Sequence, residues 1–301
     1  MHNGISVLGV KMDLGRINRG AYFAPQVIRN LGLLKMLNFY IENLKDIGDL
    51  SAKISGELDI DNNFKFDIRD LVPDFEKISS VVSNMISDNY FPLILGGDHS
   101  ISIGTISGIA KHYENLGVIW YDAHADVNTP ETTVTGSIYG MPLAINLGLG
   151  YPELVTIDGY SPKVKFENIV FIGTRELDEG EKNLLTSNDL TVFTVNDVKK
   201  LGIYKVIERA INKLHSKCDG IHLSFDLDSL NPDDAPGVRT LCPIGLSYEE
   251  SILALRILNR SKVVTSAEFV ELNPFLDVNY KSTKVVIELI KALLVNDNSK
   301  I

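Results

Sequence analysis

The sequence predicts an α/β fold: a single domain over residues 1–301, three layers deep, with a mainly parallel sheet between helices. Three observations predict it. Most candidate strands are short, near-continuous apolar runs, as strands covered on both faces must be. Stretches with apolar residues at a 3.6 period lie between them, and such alternation implies parallel pairing through helical crossovers. No internal repeat, low-complexity tract or Pro/Ser-rich linker divides the chain, and 301 residues fall within reach of one large core.

The first strand is Ile5 to Val10. A polar, Gly-containing segment runs to Gly20, and Pro25 opens a helix with Val27, Ile28, Leu31, Leu34 and Leu37 on one face. A short strand is expected at Ile47 to Asp49, then a polar excursion over 51–64, then a helix from Val72 to Ile86. Phe91 to Leu95 is a strand with Pro92 near its start, where a missing donor matters least. Gly96 to Ser100 follows, leading into a Ser/Gly/Ile-rich helix that ends near Asn115. Gly117 to Tyr121, led by Leu116, is the central strand; a polar loop from Thr129 to Gly136 and a helix around Met141 to Leu147 come after it. Ile169 to Ile172, Leu190 to Val195 and Ile221 to Phe225 read as strands, with a helix from Tyr204 to His215 between the last two. Val263 to Val270 is the last strand and Ser282 to Leu294 the closing helix.

A formal charge of -10, with no basic run, argues against nucleic acid or an anionic membrane surface as partner. No apolar run approaches the roughly 18 residues that span a bilayer, and the N-terminus lacks a secretory pattern. Only Cys218 and Cys242 are present, too few for a disulfide framework, so a reducing cytoplasm is expected.

Chemistry gathers at strand ends, where open parallel sheets bind ligands. Alternate residues of a strand share a face, so Asp122, His124 and Asp126 can point together. Asp226 and Asp228 repeat that spacing after another apolar run, and His99 follows a third. Two imidazoles and four carboxylates exceed what one structural zinc takes, and buried unpaired they would cost several kcal/mol. Four negative charges balance two dications. Oxygen-rich ligation with some imidazole suits Mn²⁺ best, with Fe, Co and Ni left open. Two such ions on the order of 4 Å apart can hold a hydroxide as nucleophile.

The motifs GGDHS at 96–100, DAHAD at 122–126 and SFDLDSLNP at 224–232 resemble the three signatures of the ureohydrolase family. KMDLG at 11–15, IGTRELDEGE at 172–181 and SAEFVELNP at 266–274 are similar to segments of its arginase branch, and the likeness covers nearly the whole chain. The resemblance implies a parallel sheet of about eight strands, a binuclear manganese site, and hydrolysis of a guanidinium to urea and an amine. It implies His99, Asp122, His124, Asp126, Asp226 and Asp228 as ligands, with Asp126 also accepting a hydrogen bond from the bridging hydroxide. Glu271 would pair with the substrate guanidinium. Asn128 and Thr135, with Thr133 nearby, would bind an α-carboxylate, Asp178 and Glu181 an α-amino group, and Thr240 would lie near the guanidinium. These imply L-arginine converted to L-ornithine and urea by a homo-oligomer, trimer or hexamer. Agmatinase, guanidino-acid hydrolase or formimidoylglutamase activity, or a metal-bound homologue with weak or no catalysis, are the alternatives.

Two positions depart from the family pattern. Tyr139 stands where the family has a histidine thought to shuttle protons, and a phenol keeps its proton near neutral pH where an imidazole exchanges it. Tyr139 therefore slows turnover, orients a different substrate, or is a tolerated replacement. Arg239 replaces a glycine beside Thr240; it reshapes the loop, fills part of the pocket, pairs with an acidic substrate group, or is a solvated charge. Ser137, Ala24 and Asn231 are lesser changes.

Overall fold

A computed structural model describes residues 2–14, 19–52, 57–58, 64–65, 67–188 and 190–296. Gly15 of the KMDLG segment and most of the 51–64 excursion lie outside those residues. Among the described residues no helix is long and apolar enough to cross a membrane.

The strands are β1 (Gly4–Lys11), β2 (Leu44–Ser51), β3 (Glu57–Leu58), β4 (Phe64–Lys65), β5 (Tyr90–Leu95), β6 (Leu116–Tyr121), β7 (Ile169–Thr174), β8 (Thr191–Thr194), β9 (Gly220–Asp226) and β10 (Ser266–Val270). Eight of them form one sheet in the order β2-β1-β5-β10-β9-β6-β7-β8. Every pairing in it is parallel, while β3 and β4 make a separate antiparallel pair. The helices are α1 (Ala24–Asn30), α2 (Leu33–Tyr40), α3 (Ile68–Ser87), α4 (Ser102–Ala110), α5 (Pro142–Asn146), α6 (Pro152–Val155), α7 (Glu179–Ser187), α8 (Val195–Leu201), α9 (Ile203–His215), α10 (Tyr248–Ser261) and α11 (Lys281–Leu294).

Alternation along each strand divides the core between the two faces. Ile119 and Tyr121 of β6 pack on the side of α1, α2 and α8 to α11; Val118 and Trp120 pack on the side of α3 to α7. The result is the expected three-layer sandwich.

Several boundaries differ from the sequence reading, each for a local reason. The helix expected from Pro25 through Leu37 breaks at Gly32, whose φ of 102° belongs to the left-handed region, and becomes α1 and α2. β2 extends well beyond Ile47 to Asp49; it is an edge strand paired only with β1, and its exposed face carries charges that blur the pattern. The last strand starts at Ser266 rather than Val263, and Val195 opens α8 instead of closing a strand. α10, to which the sequence reading assigns nothing, starts at a capping box of Ser247 with Glu250 and buries Ala254, Leu255 and Leu258.

Candidate metal centre and active site

Four adjacent strands, β5, β10, β9 and β6, release their carboxyl ends into one depression. His99 follows β5, Glu271 follows β10, Asp226 and Asp228 come at the end of β9, and Asp122 to Asp126 follow β6. Gly97 lets these turns close up: a Cβ there would meet Met12 O at 1.7 Å. Its carbonyl accepts from Glu271 N at 2.9 Å, and Asp98 N donates to Met12 O at 3.0 Å. Asp126 and Glu271 both have positive φ, 53° and 66°, an uncommon state for non-glycine residues that often marks functional sites.

Backbone amides orient three of the four aspartates. Asp122 Oδ1 accepts from His124 N at 2.7 Å, and Asp226 Oδ1 accepts from Asp228 N at 2.7 Å, one turn repeated on two strands. Asp228 Oδ1 accepts from Ala123 N at 3.4 Å, which links the two strand ends. The second oxygens then converge. His99 Nδ1 lies 3.1 Å from Oδ2 of each of Asp122, Asp126 and Asp226. His124 Nδ1 lies 3.4 Å from Asp122 Oδ1 and 3.1 Å from Asp228 Oδ2. There are thus two centres with Asp122 common to both, and all six residues expected as ligands belong to one or the other.

This donor set fits a pair of divalent cations. His99 Nδ1 and Asp122 Oδ2 are buried and find no hydrogen-bond partner, although acidic oxygens surround the nitrogen. Without a cation, burial and then Asp122 push Asp126 up to about 6, and burial, Asp228 and Asp122 push Asp226 well above the usual carboxylate range. Burial alone would lower His99, but Asp122, Asp126 and Asp226 outweigh it and raise it. Asp126 and Asp226 are raised because acids so close resist ionising together without positive charge among them, while His124 and His99 outweigh burial and hold Asp122 well below the carboxylate range.

Beneath the cluster is a support that the sequence reading leaves without a role. The His99 ring stacks on Trp120 with centroids 4.1 Å apart, and its Nε2 meets Ser224 Oγ at 2.8 Å. Ser224 Oγ donates to Glu268 Oε1 at 2.7 Å, which assigns the Nε2 proton to His99 and leaves Nδ1 free to ligate. Glu268 is fully buried and also accepts from Ser102 at 2.5 Å and Thr105 at 2.6 Å, with His222 Nε2 3.3 Å away. The signal was available: His222, Ser224 and Asp226 share one face of β9, and Glu268 pairs in register with Ser224. Arg175 is a second unassigned support. Its guanidinium donates to the carbonyls of Asp228 and Cys242, both at 2.8 Å, and clamps the loop after β9. Cys242 Sγ lies 3.5 Å from the outer nitrogen of His124.

A cavity of about 370 Å³ opens above the cluster, a size that admits an amino-acid substrate. Asn128, Thr135, Tyr139, Asp178, Glu181, Thr240 and Glu271 line it together with His99, His124, Asp126, Asp226 and Asp228. Asp122 is fully buried below it. Thr133 is not part of the lining; its hydroxyl accepts from Gly136 N at 2.9 Å and shapes the loop instead. Asp178 caps α7 in a box with Glu181 and also accepts from Asn128 Nδ2 at 2.7 Å, so capping holds these three together. Burial and then Asp126 push Glu181 up to about 7. Burial pushes Glu271 up to about 8 despite the nearby Arg239, while its Oε1 accepts from His99 N at 2.8 Å.

Arg239 is not a solvated loop charge. It is 8% exposed, pairs with Asp13 through Nη2, and lies over the Tyr139 ring with its central carbon 4.8 Å from the centroid. Pairing with Asp13 also leaves no support for Arg239 as the receptor of an acidic substrate group.

Comparison with known proteins agrees with this geometry. The Arginase family model matches residues 3–295. The chain is 47% identical to the arginase of Bacillus subtilis (strain 168) over 297 residues, covering 98% of each chain. It is 46% identical to the arginase of Bacillus caldovelox, covering 96% of this chain and 97% of that one. The native crystal structure of the Bacillus caldovelox arginase at pH 5.6 superposes with a TM-score of 0.93 at 44% identity, covering 99% of this chain and all of that one.

Proposed function

The chain belongs to the arginase family, and on that premise we propose that it hydrolyses L-arginine to L-ornithine and urea. It is a metal-dependent amidinohydrolase. One observation carries the choice of substrate. The same cavity has a carboxylate for a guanidinium, Glu271, and polar groups for an α-amino acid, Asn128, Thr135, Asp178 and Glu181. Agmatine, which lacks a carboxylate, would offer Asn128 and Thr135 no acceptor of its own.

His99, Asp122, Asp126 and Asp226 would hold one cation, and His124, Asp122 and Asp228 the other; manganese is the metal we propose for both. The chemistry that such a pair supplies when bound is Lewis acidity, which makes water a nucleophile near neutral pH. Glu271 pairs with the substrate guanidinium, and the match of two planar forks fixes the reacting carbon over the cluster. Thr240 flanks that group. Asp126 faces the cavity, takes the proton of the attacking water and returns it to the leaving amine. Asn128 and Thr135 bind the α-carboxylate, with Thr133 bracing their loop, while Asp178 and Glu181 bind the α-amino group. Tyr139 acts as pocket wall. We further propose a cytoplasmic homo-oligomer; for the oligomer, the touching exposed rings of Phe23 and Phe275, 5.1 Å apart, offer apolar surface for an interface.

The test is a urea-release screen on manganese-loaded protein, with metal content measured on the same sample. L-Arginine should have the highest kcat/KM, above agmatine and guanidino acids. Urea from none of them would overturn the reading, and a preference for agmatine would overturn the substrate.

A further inference from the structure

The two departures from the family pattern, a tyrosine at 139 and an arginine at 239, lie far apart in sequence and in contact in the fold. The guanidinium of Arg239 is anchored from below: Nη2 donates to Asp13 Oδ1, and Asp13 Oδ2 in turn accepts from Gly20 N at 2.7 Å. Its other donors, Nε and Nη1, are buried and have no hydrogen-bond acceptor among the described residues. The face of the Tyr139 ring is the electron-rich surface offered to this cation. Glu271, Asp98 and Asp13 balance the charge of this buried guanidinium; the ring offers its two unmatched donors an electron-rich face, and cation–π attraction strengthens when water is excluded.

The backbone makes the same connection. Val238 forms an antiparallel bridge with Leu272, and Asn273 N donates to Gly237 O at 2.7 Å, so the strip bearing Arg239 is tied to the strip bearing Glu271. Tyr139 lines the substrate cavity with Glu271 and Thr240, whereas Arg239 is not part of that lining.

We propose that Arg239 and Tyr139 form one positioning unit: Asp13 anchors the guanidinium, the guanidinium fixes the Tyr139 ring, and the ring walls the cavity where the substrate guanidinium meets Glu271. Arg239 is a positioning residue, acting on substrate through Tyr139. The proposal rests on the arginine-hydrolysing reading and adds a specificity device to it.

A double-mutant cycle on the manganese-loaded enzyme tests it, with KM and kcat for L-arginine and metal content measured for each variant. Tyr139→Leu should raise KM about tenfold, the scale of a desolvated cation–π contact, and lower kcat less than threefold. Arg239→Met should raise KM by a similar factor in the parent enzyme but less than twofold in the Tyr139→Leu background. Tyr139→Phe, which keeps the ring, and Arg239→Lys, which keeps the charge, should both stay within about threefold of the parent. Equal effects of Arg239→Met in both backgrounds, or no effect in the parent, would overturn the proposal. If Arg239→Met alone does not fold, the Asp13→Asn/Arg239→Met pair, which removes anchor and cation together, takes its place in the cycle with the same criteria. Failure of the parent to release urea from L-arginine is a separate result, and refutes the underlying reading instead.

Discussion

Glu271 shows how much one residue of this site is asked to do. Its backbone sits at φ 66°, its N–H is held by Gly97, and its carboxylate accepts from the amide of His99. Sequence made the carboxylate legible, through the VELNP motif, but not the left-handed backbone, which depends on the neighbouring strand end. Glu271→Gln keeps volume and an acceptor for His99 N while removing the carboxylate, whose ionised form a bound guanidinium favours. It should lower kcat/KM for L-arginine about a hundredfold, chiefly through KM, since breaking one side of a buried charge pair costs about 2–5 kcal/mol. Metal content should stay unchanged. Steady-state kinetics with elemental analysis checks both, and an unaltered kcat/KM would remove Glu271 from guanidinium binding. Arg239 marks the opposite case. From sequence, a charge in a polar loop is equally readable as solvated or buried, because its partner, Asp13, lies 226 positions away.

At the scale of elements, motif residues on strand ends were legible because alternation and apolar runs are local. The layer below them was not. Glu268 joins β10, β9 and α4, and only the strand order, with β10 inserted between β5 and β9, brings its partners together. α10 went unread although its capping box stands in the sequence, since its apolar positions follow a loop dense in Pro and Gly. The Glu268 network yields a pH prediction. Burial would raise this carboxyl, but His222 and the hydroxyls around it hold it down at about 2, below its value in the unfolded chain. A depressed carboxyl contributes stability above its unfolded pKa and loses it as pH falls toward the folded one. Folding stability should therefore decline between about pH 4.5 and pH 2, by about 3 kcal/mol from this group. Denaturant unfolding of metal-free protein across that range should show a flatter profile for Glu268→Gln than for the parent. Parallel profiles would mean that other acids set the acid limit.

For the whole molecule, the parallel sheet and both helical layers followed from periodicity alone, because a strand covered on two faces has to be apolar throughout. What periodicity cannot supply is the order of the strands, and the order makes the site. β5, β10, β9 and β6 come from distant parts of the chain yet lie side by side, so residues 99 to 271 close around one point. The cluster therefore concentrates repulsion where the four central strands end, and folding brings those acids together against it. A bound cation pair would reverse that sign and tie the ends of β5, β6 and β9, which carry the ligands, to one another. Ligands that bind only the folded chain stabilise it by about 4 kcal/mol at a thousandfold excess over Kd, and two sites add. Removing the metals with a chelator should thus lower the melting temperature on the order of 10 °C, given roughly 2 °C per kcal/mol for a domain of this size. Asp122→Ala, which removes the carboxylate common to both centres, should reach that lower value without chelator and respond little to added manganese. Calorimetry on the holo, stripped and variant proteins measures all three, and identical melting of holo and stripped parent would show that the strand ends hold together without cations.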